Sequence, residues 1–203
     1  MSSLKDISIT IGSCGNDTTR KEREIETTDL WNKLVSNGSY LSTHLVLGES
    51  YNLYREALNC YGTCANMASA IMCRSTLEAA LYKFVTAKDL QWRTEEDGRG
   101  IYTYRYSECA PYLEDYNKAL NEMKSSYPDL FKEINKDLKK VREEGNFAAH
   151  YIPVSGKKHI EAIKTSSQTV KLWIDKKGAL QTLESTVDIL IRFAGTLEKS
   201  RHV

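Results

Sequence analysis

From Glu49 to about Lys88 the chain keeps returning apolar residues to one side of a helix. Tyr54, Ala57, Leu58, Tyr61, Ala65, Ala68, Met72, Leu77, Leu81, Phe84 and Val85 carry the pattern, mostly at steps of three and four. A strand alternates with a period of two, so a run of this length specifies helix. Gly62 marks where the run divides into two helices or kinks. The second half, rich in Ala, Met and Cys, reads as the central and most buried helix. Chain-breakers are scarce: Gly and Pro together number 14 of 203 residues, about 7% against a usual share of about 12%. That scarcity argues against a sandwich or barrel with many tight turns.

Other segments read as follows. Ile7, Ile9 and Ile11 alternate with polar residues as in a short strand, and residues 12–19 follow as a Gly/Ser/Thr surface turn. They lack the lysine of a phosphate-binding loop. Thr27, Thr28 and Asp29 offer a cap for a short helix carrying Leu30, Trp31, Leu34 and Val35, which ends near Asn37 and Gly38. Residues 94–100 read as a polar turn, and residues 101–106 alternate like a strand, with Tyr102, Tyr104 and Tyr106 on one face. Pro111 and Pro128 each suit the first turn of a helix, ending near Ser125 and His150. Leu130, Ile134, Leu138 and Val141 give the second of these one apolar face. A last helix runs from about Asp175 with Leu180, Leu183, Val187, Leu190, Ile191, Ala194 and Leu197. The expected architecture is an all-α, up-and-down helical bundle with small β additions. Residues 1–45 form an N-terminal extension, and residues 46–203 form the bundle, with an insertion at 89–110.

Composition excludes several classes of function. The 28 basic and 27 acidic residues leave a net charge of +1, so bulk charge gives no footprint for nucleic acid. No stretch approaches the roughly 20 apolar residues of a membrane span, and no membrane association is expected. The first residues lack the apolar run of a secretion signal. Five cysteines stand at no metal-binding spacing, and Cys60, Cys64 and Cys73 lie in an apolar stretch. They read as free thiols of a reduced, cytoplasmic protein without a disulfide framework. His44, His159 and His202 have no ligand partners at coordinating spacing, so neither a metal nor a cofactor is expected.

One segment carries residues suited to chemistry. Residues 141–151 read Val-Arg-Glu-Glu-Gly-Asn-Phe-Ala-Ala-His-Tyr at the end of the helix opened by Pro128. Arg142, Asn146 and His150 are spaced by four, and each step of four drifts only about 40° around a helix, so they share one polar stripe. Gly145 costs such a helix about 1 kcal/mol relative to alanine, which marks a place where another backbone or a substrate comes close. Arg74 and Glu78, four residues apart, form a helical pair.

The string R-x-x-G-N-x-A-A-H at 142–150, with R-x-x-L-E from Arg74 to Glu78, resembles the HEPN superfamily. Within it the chain is most similar to a domain-of-unknown-function branch with the same G-N-x-A-A-H signature. The resemblance covers about residues 50–88 and 128–200. It implies a compact helical bundle that forms homodimers, and for many members a metal-independent endoribonuclease. There the RNA 2′-hydroxyl attacks the neighbouring phosphate. On this resemblance His150 would move the proton, Arg142 would hold the phosphoryl charge, and Asn146 would position substrate, with Arg74 and Glu78 in support.

Active members carry an arginine and a histidine four to six residues apart, and commonly an arginine where this chain has Gly145. Eight helical residues separate the Cα atoms of Arg142 and His150 by about 12 Å, and helical side chains lean toward the N-terminus. One copy therefore cannot bring both groups to one phosphate. Two copies packed antiparallel through the stripe can, with the site on the two-fold axis. The alternative is a non-catalytic dimerisation or RNA/nucleotide-binding module working through a partner protein.

Overall fold

The computed structural model describes residues 17–37, 44–87, 91–97, 100–106, 116–149 and 174–199. Among these residues the chain forms an all-α bundle of six helices with one added hairpin: α1 (Asp17–Asn37), α2 (His44–Gly62), α3 (Asn66–Thr86), β1 (Gln91–Asp97), β2 (Gly100–Tyr106), α4 (Tyr116–Ser126), α5 (Pro128–Ala149) and α6 (Lys176–Lys199). The strand signal at Ile7, Ile9 and Ile11 lies outside the described residues, and the last residues of the turn read at 12–19 are instead the opening of α1. The start of the helix expected at Pro111 also lies outside the described residues.

Helix α3 is the central element, packing against α2, α4, α5 and α6. Its buried Ala70, Cys73, Leu77, Ala80, Leu81 and Phe84 meet Tyr54, Leu138, Val141, Leu183, Leu190 and Phe193 in one core. The Phe84 ring stacks on Phe193 with centroids 4.4 Å apart, and the Tyr127 ring tilts against Phe84 at 4.7 Å. Small side chains let α2 and α3 approach: Ser69 Oγ donates to the carbonyl of Ala57 at 2.9 Å. Tyr54, fully buried, donates its hydroxyl to the Leu183 carbonyl at 3.1 Å, and burial pushes its ionisation well up.

The division at Gly62 is real. The Ala65 amide bonds the Cys60 carbonyl, and the Cys64 amide bonds the Tyr61 carbonyl. These two bonds form the αL-capped helix ending usually built on glycine, here with Cys64 at φ 62°. Cys64 is disulfide-bonded to a residue outside the described ones, while Cys60 and Cys73 are free. This corrects the expectation of a chain without disulfides. A cysteine in an apolar stretch looks the same in sequence whether or not a distant partner reaches it.

Helix α1 begins ten residues before the Thr27–Asp29 cap. Thr27 and Thr28 bond back to the Glu24 carbonyl inside the helix instead of capping it. Leu30 and Leu34 enter the core, whereas Val35 is 41% exposed. The first half of α1 is held by polar contacts. Arg23, only 4% exposed, donates from Nη1 to the Tyr61 carbonyl at 2.7 Å and to Asn66 Oδ1 at 3.0 Å. Its guanidinium also lies 4.3 Å over the Tyr61 ring. Asn66 Nδ2 donates on to the Ile174 carbonyl at 3.1 Å. Lys176 pairs back to Glu22 and Glu26 on α1, and the Tyr61 hydroxyl donates to Glu26 Oε2 at 2.6 Å. A closed polar ring thus joins α1, the α2–α3 turn and the start of α6. Asp175 caps α6, its Oδ1 accepting the Gly178 amide at 2.7 Å.

Strands β1 and β2 pair antiparallel, with Gln91 opposite Tyr106 and Asp97 opposite Gly100. Residues 94–97, read as a turn, are therefore strand. Their Thr-Glu-Glu-Asp sequence has no apolar alternation to announce it. The register sets Tyr102, Tyr104 and Tyr106 opposite Glu95, Arg93 and Gln91.

Candidate functional site

Helix α5 reaches the site because one face is apolar and its glycine is small. Ile134, Leu138, Val141, Gly145 and Ala148 are buried. A Cβ placed on Gly145 would stand 3.0 Å from the Ala70 carbonyl oxygen and closer still to Arg74. The close approach expected at this glycine is therefore made by the backbone of α3. It brings Arg142 of α5 beside Arg74 and Glu78 of α3.

These three side chains, with Leu77, Leu138 and Tyr116, line a small hollow between α3, α4 and α5 that has no room for a water molecule as it stands. Arg74 Nε donates to Glu78 Oε1 at 2.8 Å, the helical pair expected from the spacing. Both side chains are about a quarter exposed, so the pair contributes only a few tenths of a kcal/mol.

Arg142 is differently placed. Its guanidinium lies 4.1 Å over the ring centroid of Tyr116, the first residue of α4. It shares the hollow with Leu138, one turn toward the N-terminus, so the side chain leans as helical geometry requires. Its Nε is buried and has no hydrogen-bond partner among the described residues. Such an unmatched donor costs roughly 1–3 kcal/mol. Burial pushes the Tyr116 hydroxyl up, Arg142 pulls it down, and Glu78 and Tyr82 push it up further. The ring is therefore neutral at ordinary pH, as a stacking partner for a cation should be.

Asn146 is half-buried one turn beyond Arg142, and its side chain takes part in no hydrogen bond among the described residues. His150 lies outside the described residues, as do His159 and His202. Tyr116 is the member that sequence reasoning missed. It comes from a separate helix, and no spacing relates it to Arg142. Among the described residues no three His, Cys, Asp or Glu side chains gather as a metal site would require, and no helix is long and apolar enough to cross a membrane. Compared with known protein families, curated proteins and solved structures, the chain matches none.

Proposed function

We propose that this chain is a HEPN-like, metal-independent endoribonuclease acting through a homodimeric Arg/His site. The observation that supports this most is the state of Arg142, a cation with no carboxylate bonded to it among the described residues. An arginine without a carboxylate partner suits an anion brought by a ligand. The lean of Arg142 toward Leu138 is away from position 150, which favours assembly of the site from two copies. In the reaction the RNA 2′-hydroxyl attacks the adjacent phosphorus and the bond to the 5′ oxygen breaks. His150 transfers the proton from the attacking to the departing oxygen, Arg142 holds the phosphoryl charge, and Asn146 orients the strand. A toxin or defence role with a restraining partner protein fits such an activity. The cytoplasm is the proposed setting, where the Cys64 disulfide would meet reducing conditions.

A second reading is an RNA- or nucleotide-binding module without chemistry. The Arg142–Tyr116 stack favours it, because that arrangement is complete within one protomer. The deciding experiment is cleavage of mixed single-stranded RNA in EDTA by wild type, His150→Ala and Arg142→Ala, each checked for dimer by light scattering. Products ending in 2′,3′-cyclic phosphate, lost in both variants, establish the nuclease. A folded dimer that binds RNA without cleaving it establishes the module.

A further inference from the structure

Before Leu30, α1 has no buried apolar side chain. Ile25, its one large apolar residue there, is 61% exposed, and between residues 18 and 27 only Arg23 and Thr27 are buried. A helix end without hydrophobic anchorage belongs to the low-stability part of a structure. Its polar ties are the bonds of Arg23 to the α2–α3 turn and the ion pairs of Glu22 and Glu26 with Lys176. The disulfide-bonded Cys64 stands beside them. The Tyr61 carbonyl that accepts Arg23 Nη1 at 2.7 Å also accepts the Cys64 amide at 2.9 Å.

Cys60 and Cys73 are free thiols, which leaves Cys14 and Cys109 as partners for Cys64. Cys14 stands three residues before Asp17, so about 10 Å of chain separates it from the start of α1. Cys109 follows β2 by three residues, and β2 ends opposite Gln91, five residues past the end of α3. Helix α3 leads away from Cys64 and its 21 residues span about 30 Å. From that far end Cys109 reaches Cys64 only along a chain drawn nearly straight back.

We infer that Cys64 is bonded to Cys14 and that this disulfide is a redox-sensitive fastening, holding the first half of α1 against the α2–α3 turn. Its reduction releases residues 17–26 from an otherwise intact bundle, because Leu30 and Leu34 keep the second half of α1 seated in the core. In that step a dithiol gives two electrons and two protons. The S–S bond breaks, Cys14 and Cys64 each become thiols, and the dithiol closes to its own disulfide. Cys64 is half-buried, within reach of a small dithiol.

The test has two parts. Protein alkylated without reductant at acid pH is digested with trypsin and weighed. Residues 6–20 should emerge joined to residues 56–74, and residues 106–118 joined to 56–74 would overturn the assignment. Amide hydrogen exchange is then followed with and without dithiothreitol. Reduction should speed exchange in residues 21–28 about tenfold or more, with α3 and α6 unchanged. Without reductant, Cys14→Ser should exchange at the rate of the reduced protein and Cys109→Ser at that of the oxidised one. Unchanged exchange in residues 21–28 on reduction overturns the fastening, as does an equal loosening of α3 and α6.

Discussion

The Cα of Gly145 on α5 sits so near Arg74 on α3 that a Cβ there would come within 2.4 Å of the Arg74 Cβ. The two helices therefore meet at a point where no side chain fits. Arg142 and the Arg74–Glu78 pair face one hollow because of that contact.

Gly145→Ala should accordingly destabilise the protein. Alanine gains about 1 kcal/mol of helix propensity, but the contact is with a backbone oxygen and a Cβ, neither of which can swing away. Overpacking of this kind costs about 1–3 kcal/mol, and we expect a net loss of roughly 1–2 kcal/mol in urea unfolding. A more stable variant would show that α5 is not held against α3 at this point.

Removing Arg23 should cost more than removing the partly exposed Lys176 of the same polar ring. Arg23→Met leaves Asn66 Oδ1 without its donor and takes one of the two donors from the Tyr61 carbonyl, which keeps the Cys64 amide, a loss of roughly 1–3 kcal/mol. Lys176→Met breaks ion pairs whose carboxylates are partly exposed and should cost less than about 1 kcal/mol. Paired chemical denaturation curves decide between this order and its reverse.

Stability should fall as pH rises above about 9. Burial pushes the Cys73 thiol up from 9.0 to about 12, and burial likewise raises Tyr54, Tyr61 and Tyr116 above 10.0. Each group keeps its proton in the folded state where the unfolded chain has lost it, so the folded form binds more protons and alkali opposes it. Lys176 acts in the same sense: its raised value gives stability that is complete below 10.5 and lost above. Melting temperatures measured from pH 7 to 11 should be flat and then decline. A flat profile throughout would contradict the burial of these groups.

Thiol counting tests the Cys64 disulfide. The chain has five cysteines, and with Cys64 in an intrachain disulfide, alkylation of the unfolded, unreduced protein should add three groups by mass, rising to five after reduction. In the native state Cys73 should stay unmodified, being fully buried with its thiol pushed up to about 12. Five groups without reductant would show the cysteines to be free.

Much of the bundle was legible because α3, α5 and α6 write their buried faces in apolar residues at helical spacing. The first half of α1 does not, since its buried anchor is Arg23, and a charge that finds its partners 38 and 43 residues away leaves no local trace. Strand β1 was missed for a related reason: Gln91–Asp97 is polar and charged nearly throughout. At the site, Gly145 announced a close contact, and the arginines followed from spacing. Tyr116 did not, because its place beside Arg142 is set by how α4 docks.

The polar ring at the end of the bundle also bears on the order in which the chain folds. Its contacts span 38, 43, 108 and 154 residues along the sequence, from Arg23 to Tyr61 and Asn66, from Asn66 to Ile174, and from Glu22 to Lys176. Contacts between neighbouring helices such as α2 and α3 close short loops and form early, whereas loops this long carry the greatest entropy of closure. The first and last helices are thus tied together late, over an already assembled middle, and unfolding should begin by undoing the same knot.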